Sequence, residues 1–515
     1  MIRVPPFPLF LFLLLNTSEN TNGCNAFSLH VPSAPVSKSD APEQPSNKDV
    51  AAAATTFPQL HLSPPPPPVK KKGKAAIILN TNARSVSHDL ASIARAVFGR
   101  ENVFCTSTED EGKRAASQII NNRNEYSLVI PVGGDGTLSS MINFMCDDIM
   151  ARDAARGRTT TVEDAMKELP LIGYIPLGTG NGVGSVVGCR VEKVLRLVPG
   201  AKGRKKRRVE YIMQCLKRLS EETTTYAGSS SAVPPTLLRD EKGRVNDVEI
   251  VTIPMIEVIR QQIYDDEDFS DADAVPFKGK GDLCFFAGVG FDSLMLNDFK
   301  RIKAWSKRKG ILTRALSSVA GYCVALVVKT LPKCVSYGAH KVNVTLSSRD
   351  DDTVWVDHRR GDFVRRCFGT EDDDGEKSES RLLYSGTTGI LAAGTSPFYG
   401  GGLRLFPFAR LTTDKMHLRL GRINPLVGFI NIPNIFAGSY RDKSDRFGCL
   451  DFIGSDFEVE VSGENSMSGK EGRSNGYPFQ HSGESMGHTE RFRLRVVEHP
   501  VRFVSFMKKR VVHER

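Results

Sequence analysis

The stretch "VIPVGGDGTL", residues 129–138, decides the fold, because an apolar run is followed at once by three glycines around one acid. The apolar run predicts a buried strand, and the residues after the glycines have the periodicity of a helix. Gly133, Gly134 and Gly136 carry no Cβ, so their backbone can approach a polyanion closely and present N–H groups to it. Taken alone, the stretch fits a plain strand-to-helix turn as well as a phosphate-binding loop.

Strand and helix patterns alternate on both sides of this stretch. Helical segments separate four apolar runs, "AAIILN" (75–80), "NVFCTST" (102–108), "YSLVIPV" (126–132) and "PLIGYIP" (170–176). This alternation predicts an α/β domain with a mostly parallel sheet. Ligands bind at the carboxyl ends of the strands in such sheets.

A second glycine loop, "PLGTGNGVGS" (176–185), follows the fourth strand. It places Gly178, Thr179 and Asn181 at a strand end, as the first loop does one unit earlier. Small polar residues, Asn80 and Thr106, also end the first two strands. Four neighbouring strand ends of this kind predict one cleft rather than separate turns.

Asp135 is the acid that the first loop carries. A carboxylate repels phosphate, so its predicted role is that of a metal-bridged ligand or of a base that takes a proton from an attacking hydroxyl.

The chain beyond residue 245 has a different sequence pattern. Many short strand-like runs with Gly and polar turns predict an antiparallel sandwich or barrel over 246–507, with inserts near 349–381 and 462–476. Between the two domains, 191–245 is basic and of low complexity, and we expect it to be an inserted surface loop. One helical stretch has an uncharged core of 14 residues, 315–328, which is shorter than the roughly 20 that a spanning helix needs.

The composition restricts the partners. The chain has 515 residues, a net charge of +10 and 40% hydrophobic residues, as expected of a globular protein with two domains. Its ten cysteines lie far apart without CxxC pairs, which argues against a disulfide framework or a zinc site. Basic segments at 202–208 and 300–309 suit an anionic membrane surface, but each also fits an ordinary solvated face. No basic strand carries interleaved aromatic residues, so nucleic acid is not an expected partner, and no pattern indicates an oligomeric state.

The N-terminus predicts targeting. An apolar run after Arg3 resembles a signal-peptide core over 1–26, and 27–73 is a Ser-, Ala- and Pro-rich linker. This arrangement resembles the two-part presequence of algae with secondary plastids, which predicts a plastid location. Secretion or retention in the endomembrane system is the alternative.

The two loops together resemble the diacylglycerol kinase catalytic family, which includes sphingosine kinases and bacterial lipid kinases. "GGDGT" and "PLGTGN" carry the resemblance in the first domain. In the second domain it extends to "FFAGVGFDS" (285–293), "GTSPFYGGGLRLFPFARLTTDKMHL" (394–418) and "QHSGES" (480–485).

The resemblance implies an ATP-dependent kinase that acts on a lipid hydroxyl with Mg²⁺. It implies an α/β domain like that of NAD kinases and phosphofructokinases, followed by a β-sandwich, with the nucleotide between them. Asp135 would handle metal and proton, and Asp414 would be a second catalytic or metal-linked carboxylate. The residues implied to line the nucleotide are Asn80, Thr106, Gly133, Gly134, Gly136, Thr137, Gly178, Thr179, Asn181 and Glu484.

The sequence departs from the family pattern at three positions. Gly182 stands where the family often has an acid, Lys415 follows Asp414 in place of a glycine, and Ser482 replaces the aspartate of a late "DGE". Diacylglycerol and sphingoid bases are the expected acceptors. An enzyme like NAD kinase and a catalytically inactive protein that binds lipid or nucleotide are the alternatives.

Overall fold

The protein is described by a computed structural model that divides into Met1–Lys70 and Lys71–Arg515. The described residues all lie in the second unit, so the predicted signal and nearly all of the linker fall outside them. They are 71–83, 86–178, 181–189, 201–222, 224–225, 237–239, 245–247, 249–261, 281–310, 316, 319–338, 341–357, 362–364, 381–399, 403–422, 427, 431, 434, 449–462 and 477–506.

A mostly parallel sheet forms the first layer of the structure. Its strands in chain order are β2 (Lys74–Asn80), β3 (Val103–Thr106), β4 (Tyr126–Gly133), β5 (Leu171–Ile172) and β6 (Ile175–Pro176), after a two-residue β1 (Lys71–Lys72). β2 lies between β3 and β4, and β5 and β6 both pair with β4, all in parallel. The predicted α/β domain is thus confirmed, and both glycine loops follow strands that lie side by side.

Helices cover both faces of this sheet. They are α1 (His88–Phe98), α2 (Glu109–Asn121), α3 (Asp135–Ala155), α4 (Val162–Lys167), α5 (Gly182–Val186) and α6 (Ala201–Glu222). Alternate residues of β2 point to opposite faces. Ile77 therefore packs with α1 and α6, whereas Ile78 packs with α2, α3 and α4.

Two strands distant in sequence complete the same sheet. β25 (Val501–Ser505) pairs in parallel with β5, and β10 (Glu249–Ile253) pairs antiparallel with β25. Phe503 and Val504 are fully buried, one in each core. The sequence predicts both segments in the second domain (246–507), because a short apolar strand does not reveal which sheet it joins.

The β-rich part consists of two antiparallel sheets. One has the order β12-β11-β24-β21-β14-β17 and the other β16-β15-β20-β19-β18-β13-β22-β23. A common core of apolar residues from both sheets lies between them. The bounds are β11 (Ile256–Arg260), β12 (Asp282–Cys284), β13 (Phe286–Gly290), β14 (Val342–Ser348), β15 (Val354–Asp357), β16 (Asp362–Val364), β17 (Arg381–Thr388), β18 (Ile390–Gly394), β19 (Met416–Gly421), β20 (Cys449–Gly454), β21 (Asp456–Ser462), β22 (Tyr477–His481), β23 (Glu484–Thr489) and β24 (Arg491–Val496). Three further short strands are β7 (Thr224–Thr225), β8 (Leu237–Arg239) and β9 (Val245–Asp247).

A helical segment interrupts the sandwich after β13, as the sequence predicted. It comprises α7 (Phe291–Lys309), α8 (Val319–Ala325), a π-helical turn (Leu326–Thr330) and α9 (Leu331–Tyr337). Phe299 of α7 stacks on Tyr322 of α8 with ring centroids 3.7 Å apart. Within the described part of the chain, no helix is both long and apolar enough to cross a bilayer.

The expected surface loop at 202–208 is instead the beginning of α6. The six cations end at Arg208, and from there apolar residues recur at helical spacing and are buried, among them Ile212, Met213 and Leu216. The basic run concealed this pattern because the amphipathic half of the helix starts only after it. A helix of 22 residues therefore covers one face of the sheet where we expected an insert.

A second expected insert, 349–381, also contributes to the fold. β15 and β16 pair with each other at the edge of the eight-stranded sheet, and β15 joins it through β20. The low-complexity sequence of this segment indicates an inserted loop, but charged residues are also common on strands at sheet edges. Of the insert near 462–476, residues 463–476 lie outside the described residues.

The burial of α6 can be tested by truncating Leu216. We expect Leu216→Ala to lower the free energy of unfolding by about 2–4 kcal/mol, because the side chain is fully buried against the sheet. Lys206→Ala, on an exposed position of the same helix, is the matched control and should change it by less than about 0.5 kcal/mol. Equal effects of the two variants in chemical denaturation would contradict the packing of α6.

Candidate functional site

The two glycine loops touch through their backbones. The Gly133 carbonyl accepts hydrogen bonds from the N–H groups of Leu177 (2.7 Å) and Gly178 (2.9 Å). A Cβ added to Gly178 would lie 2.3 Å from the Cα of Gly134 and 2.9 Å from its nitrogen. No side chain at position 178 fits between the loops, and the two glycines create a continuous backbone surface at the ends of β4 and β6.

Asp135 links the first loop to the second by hydrogen bonds. It is buried at the first position of α3, and its Oδ2 accepts a hydrogen bond of 2.6 Å from the Gly182 N–H. Its Oδ1 accepts from the Val183 N–H (3.3 Å) and from the Tyr174 hydroxyl (3.2 Å). Burial and the neighbouring carboxylate together raise the pKa of Tyr174 well above its usual value. The acid therefore links two loops and a tyrosine.

The end of β2 contacts the first glycine loop, and the end of β3 contacts the end of β2. Asn80 donates a hydrogen bond of 2.8 Å from Nδ2 to the Thr137 hydroxyl. A Cβ on Gly133 would lie 2.6 Å from that hydroxyl oxygen, so Thr137 occupies the space that this glycine leaves. The carbonyl of Thr106 accepts from the Thr81 N–H at 2.9 Å, which joins the ends of β2 and β3.

The second domain reaches the site through the tight turn between β22 and β23. Ser482 and Gly483 have φ values of 46° and 78°, so this two-residue turn has positive φ at both positions. The hydroxyls of Ser139 on α3 and Ser482 lie 2.7 Å apart. A Cβ on Gly136 would be 3.0 Å from the Glu484 Oε1, so the structure brings Glu484 against the first loop.

The second loop is described up to Gly178 and again from Asn181, and Thr179 lies outside the described residues. Asn181 has left-handed backbone angles, with φ 53°, and donates from Nδ2 to the Gly178 carbonyl at 2.9 Å. Its buried Oδ1 has no hydrogen-bond partner among the described residues. The Asn181 Oδ1 is therefore available to accept a hydrogen bond from a donor outside the loop.

Asp414 is placed differently from the other predicted residues. It is exposed in the turn before β19, and its neighbour Lys415 extends to the turn at 350–352. The Lys415 ammonium lies 3.0 Å from the Asp352 carbonyl and 3.6 Å from the Asp350 carboxylate. These contacts direct this segment to a sandwich turn rather than to the glycine loops, and the predicted role of Asp414 stays a prediction.

Local steric contacts explain why position 182 carries a glycine rather than an acid. A Cβ there would lie 2.7 Å from the Phe398 carbonyl oxygen and 3.4 Å from the Asp135 Oδ2. An acidic side chain at Gly182 would therefore collide with backbone and place a second carboxylate beside the first.

Sequence reasoning missed a buried acid on the second-domain side. Asp292, near the start of α7, accepts hydrogen bonds at Oδ2 from the Tyr399 hydroxyl (2.5 Å) and the Gln480 amide (3.1 Å). Burial raises the pKa of Asp292 from 3.8 to about 6, although these bonds act in the opposite direction. The stretch "FFAGVGFDS" resembles the family, but a single acid at the end of an apolar segment is too weak a signal to indicate a buried cluster.

The arrangement fits a phosphate chain better than a metal cage. The Gly133–Gly136 loop, at the N-terminus of a 21-residue helix, presents N–H groups and a positive helix end. Among the described residues no three His, Cys, Asp or Glu side chains converge as a metal site. Mg²⁺ is usually held by one or two carboxylates together with phosphates and water, and Glu484 beside Gly136 could supply one of them.

Comparison with known proteins assigns the class of the first domain. Residues 74–212 match the model of the diacylglycerol kinase catalytic domain. The first domain is therefore similar to the catalytic domain of this kinase family, and the resemblance seen in the two loops is confirmed. The match extends to residue 212 and so includes the first half of α6.

Three solved structures, all described as diacylglycerol kinases from Bacillus anthracis str. Sterne, are similar to the chain. The first has 12% identity and a TM-score of 0.44, with 87% of this chain and 99% of that chain covered. The second has 11% identity and a TM-score of 0.40, with coverages of 85% and 98%. The third has 12% identity and a TM-score of 0.42, with coverages of 84% and 97%. No curated protein matches the chain in sequence.

The contact between the loops predicts an asymmetric response to two alanine substitutions. Gly178→Ala should lower the free energy of unfolding by about 1–3 kcal/mol, since its Cβ must displace the backbone of Gly134. In Gly134→Ala the new Cβ meets only the Gly178 Cα, at 3.4 Å, and the cost should stay below about 1 kcal/mol. Chemical denaturation of both variants measures the difference, and similar losses would contradict this geometry.

Asp292 predicts a pH dependence of stability. Its folded pKa lies above its ordinary value, so its favourable contribution is fully present below about pH 4 and is lost as pH rises through about 6. Asp292→Asn keeps an acceptor for Tyr399 and Gln480 but does not ionise. The variant should therefore gain stability relative to the wild type from about pH 4 to about pH 7, by at most about 3 kcal/mol. A constant difference across this range in urea titrations would contradict the raised pKa.

Proposed function

We propose that the protein is an ATP-dependent lipid kinase that transfers the γ-phosphoryl group to the hydroxyl of diacylglycerol or of a sphingoid base. The observation that carries the proposal is the backbone contact between Gly134 and Gly178 in a domain that matches this kinase family. It produces one glycine surface at two adjacent strand ends, where a triphosphate can lie against N–H groups.

The first loop and α3 would bind and orient the phosphates. Phosphoryl transfer needs mainly positioning and electrostatic stabilisation, since its transition state spreads charge over the oxygens of the transferred group. Asn80 holds Thr137 at the N-terminus of α3, which keeps the helix end aligned with the loop. A bound Mg²⁺ would neutralise charge on the phosphates, with Glu484 beside Gly136 as a ligand.

Asp135 would have one of two roles, and they differ in which hydrogen bonds its carboxylate keeps. As an anchor, its carboxylate keeps three donors and fixes the distance between the loops. As a general base, it would take the proton of the lipid hydroxyl and exchange one of those donors for the acceptor. The burial of the carboxylate and its three donors support the anchor as its resting role.

The lipid would approach from the second-domain side. Ser482 contacts Ser139 on α3 and the Phe398 carbonyl lies beside Gly182 of the second loop, so the sandwich would form the other wall of the site. Glu484 lies at this wall and is paired with Lys300 at 3.4 Å. An acceptor hydroxyl placed between the two walls would face the glycine surface.

Phosphate transfer from γ-labelled ATP into mixed vesicles tests the proposal, with diacylglycerol and a sphingoid base in separate reactions. The wild type should label one of them, and Asp135→Asn should lower the rate by about 100-fold or more, as expected for a lost base or a displaced loop. An anchor role also predicts a lower melting temperature and weaker ATP binding in this variant, whereas a base role leaves both nearly unchanged. Asp414→Asn tests the second predicted carboxylate in the same assay.

Other outcomes would overturn the proposal in distinct ways. ATP binding without transfer to any lipid would favour a nucleotide-binding protein without catalysis. Labelling of NAD in place of lipid would favour the NAD kinase alternative. No ATP binding at all would remove the function assigned to the glycine surface.

A further inference from the structure

The outer face of α7 combines cations with an exposed tryptophan. Arg301, Trp305 and Arg308 are spaced by four and three residues, so they lie on one side of the helix. Trp305 is 46% exposed, whereas the opposite side of α7 is buried through Phe299 and Ile302. A large apolar side chain flanked by two arginines is typical of residues at a membrane interface.

The neighbouring π-helical turn and α9 expose a second apolar group. Val328 and Val335 are 63% and 61% exposed, and Pro332 between them is also exposed. Leu326, Thr330 and Cys334 lie on the buried side of the same segment. Monomeric surfaces carry single exposed apolar residues without consequence, but a run of them beside a basic helix marks an interaction surface.

Buried polar contacts fix this orientation. Asp298 of α7 is buried and accepts hydrogen bonds from the Thr330 hydroxyl (3.1 Å) and the Lys333 ammonium (2.6 Å). A buried carboxylate that loses such partners is costly, so the segment cannot rotate about its axis to hide its valines. Their exposure is a property of the fold.

The charged side chains near Trp305 and the exposed valines are mostly cations. Within the described residues, no acidic side chain forms an ion pair with the cations that remain on α7 and the π-helical turn, which are Arg301, Lys303, Lys307, Arg308, Lys309 and Lys329. Each cation near an anionic bilayer contributes about 1 kcal/mol to binding. A negatively charged surface with an apolar interior matches both the charges and the valines.

We propose that α7, the π-helical turn and α9 form a docking surface for an anionic lipid bilayer, with Trp305, Val328 and Val335 inserted into the interface. The surface lies near the proposed site, because Lys300 of α7 contacts Glu484. Docking there brings the second-domain wall of the site close to the membrane. The inference concerns vesicle binding, so it stands or falls independently of catalysis.

The other basic segment does not share these features. Lys206, Arg207 and Arg208 on α6 are exposed, but the apolar residues that follow them are buried against the parallel sheet. None of the exposed large apolar side chains in the described part of the chain lies on α6. The structure thus distinguishes two basic segments that composition could not.

Vesicle co-sedimentation of the full chain tests the docking surface, with pure phosphatidylcholine compared with a mixture containing about one third anionic phospholipid. The wild type should bind the anionic vesicles and bind neutral ones far more weakly. Arg301→Gln with Arg308→Gln should weaken binding by about 25-fold, at about fivefold for each lost cation. Trp305→Ala and the pair Val328→Ser with Val335→Ser should each weaken it by about tenfold, without a change in melting temperature.

Matched controls use exposed residues elsewhere. Lys206→Gln with Arg207→Gln removes the same charge from α6, and Leu382→Ser removes an exposed apolar side chain from β17, so both should bind like the wild type. Equal losses in the α6 variant would show that binding follows net charge and would overturn the proposal. Two further outcomes would overturn it. In the first, the valine variant converts a dimer into a monomer, measured by analytical sedimentation, while vesicle binding stays intact. In the second, the arginine variant loses binding to an oligonucleotide but still binds vesicles.

Discussion

The direct contact between two backbones, at Gly134 and Gly178, is the constraint on which the rest of the site depends. It is possible only because residue 178 has no Cβ, and it determines how closely the ends of β4 and β6 approach each other. Asp135 then reinforces this contact by accepting hydrogen bonds from the N–H groups of Gly182 and Val183 at the start of α5. The charge of this carboxylate is thereby neutralised in part by backbone dipoles, which would lower its repulsion of the phosphates that we propose the loop to bind.

The sequence predicted the first domain well because its signals are local. Alternating strands and helices, glycine loops at strand ends and small polar residues such as Asn80 all depend on neighbours close in the chain. The assembly of Asn80, Thr137 and Gly133 follows directly from parallel pairing of β2 and β4. Glu484 was placed through the family resemblance alone, and the structure brings it to Gly136 by a turn whose sequence position says nothing about its partner.

What could not be predicted depends on contacts between distant segments. The first half of α6 reads as a charged loop because its apolar stripe begins only after the basic run. The Asp292 cluster joins residues more than one hundred positions apart, 107 for Tyr399 and 188 for Gln480, so no local pattern reveals it. The exposed valines of the π-helical turn and α9 likewise look like ordinary core residues until Asp298 fixes which side faces outward.

The return of β25 to the parallel sheet has a consequence for folding. β5 is only two residues long and lies between β4 and β25, so the first domain gains a long partner strand only when residues 501–505 arrive. Until then β5 is an open edge beside apolar surface, which is the kind of edge that promotes aggregation. The sheet also closes through contacts of very high sequence separation, a topology associated with slow folding. A fragment that ends with the family match at residue 212 would lack this strand, so the α/β domain and the sandwich are expected to fold as one cooperative unit.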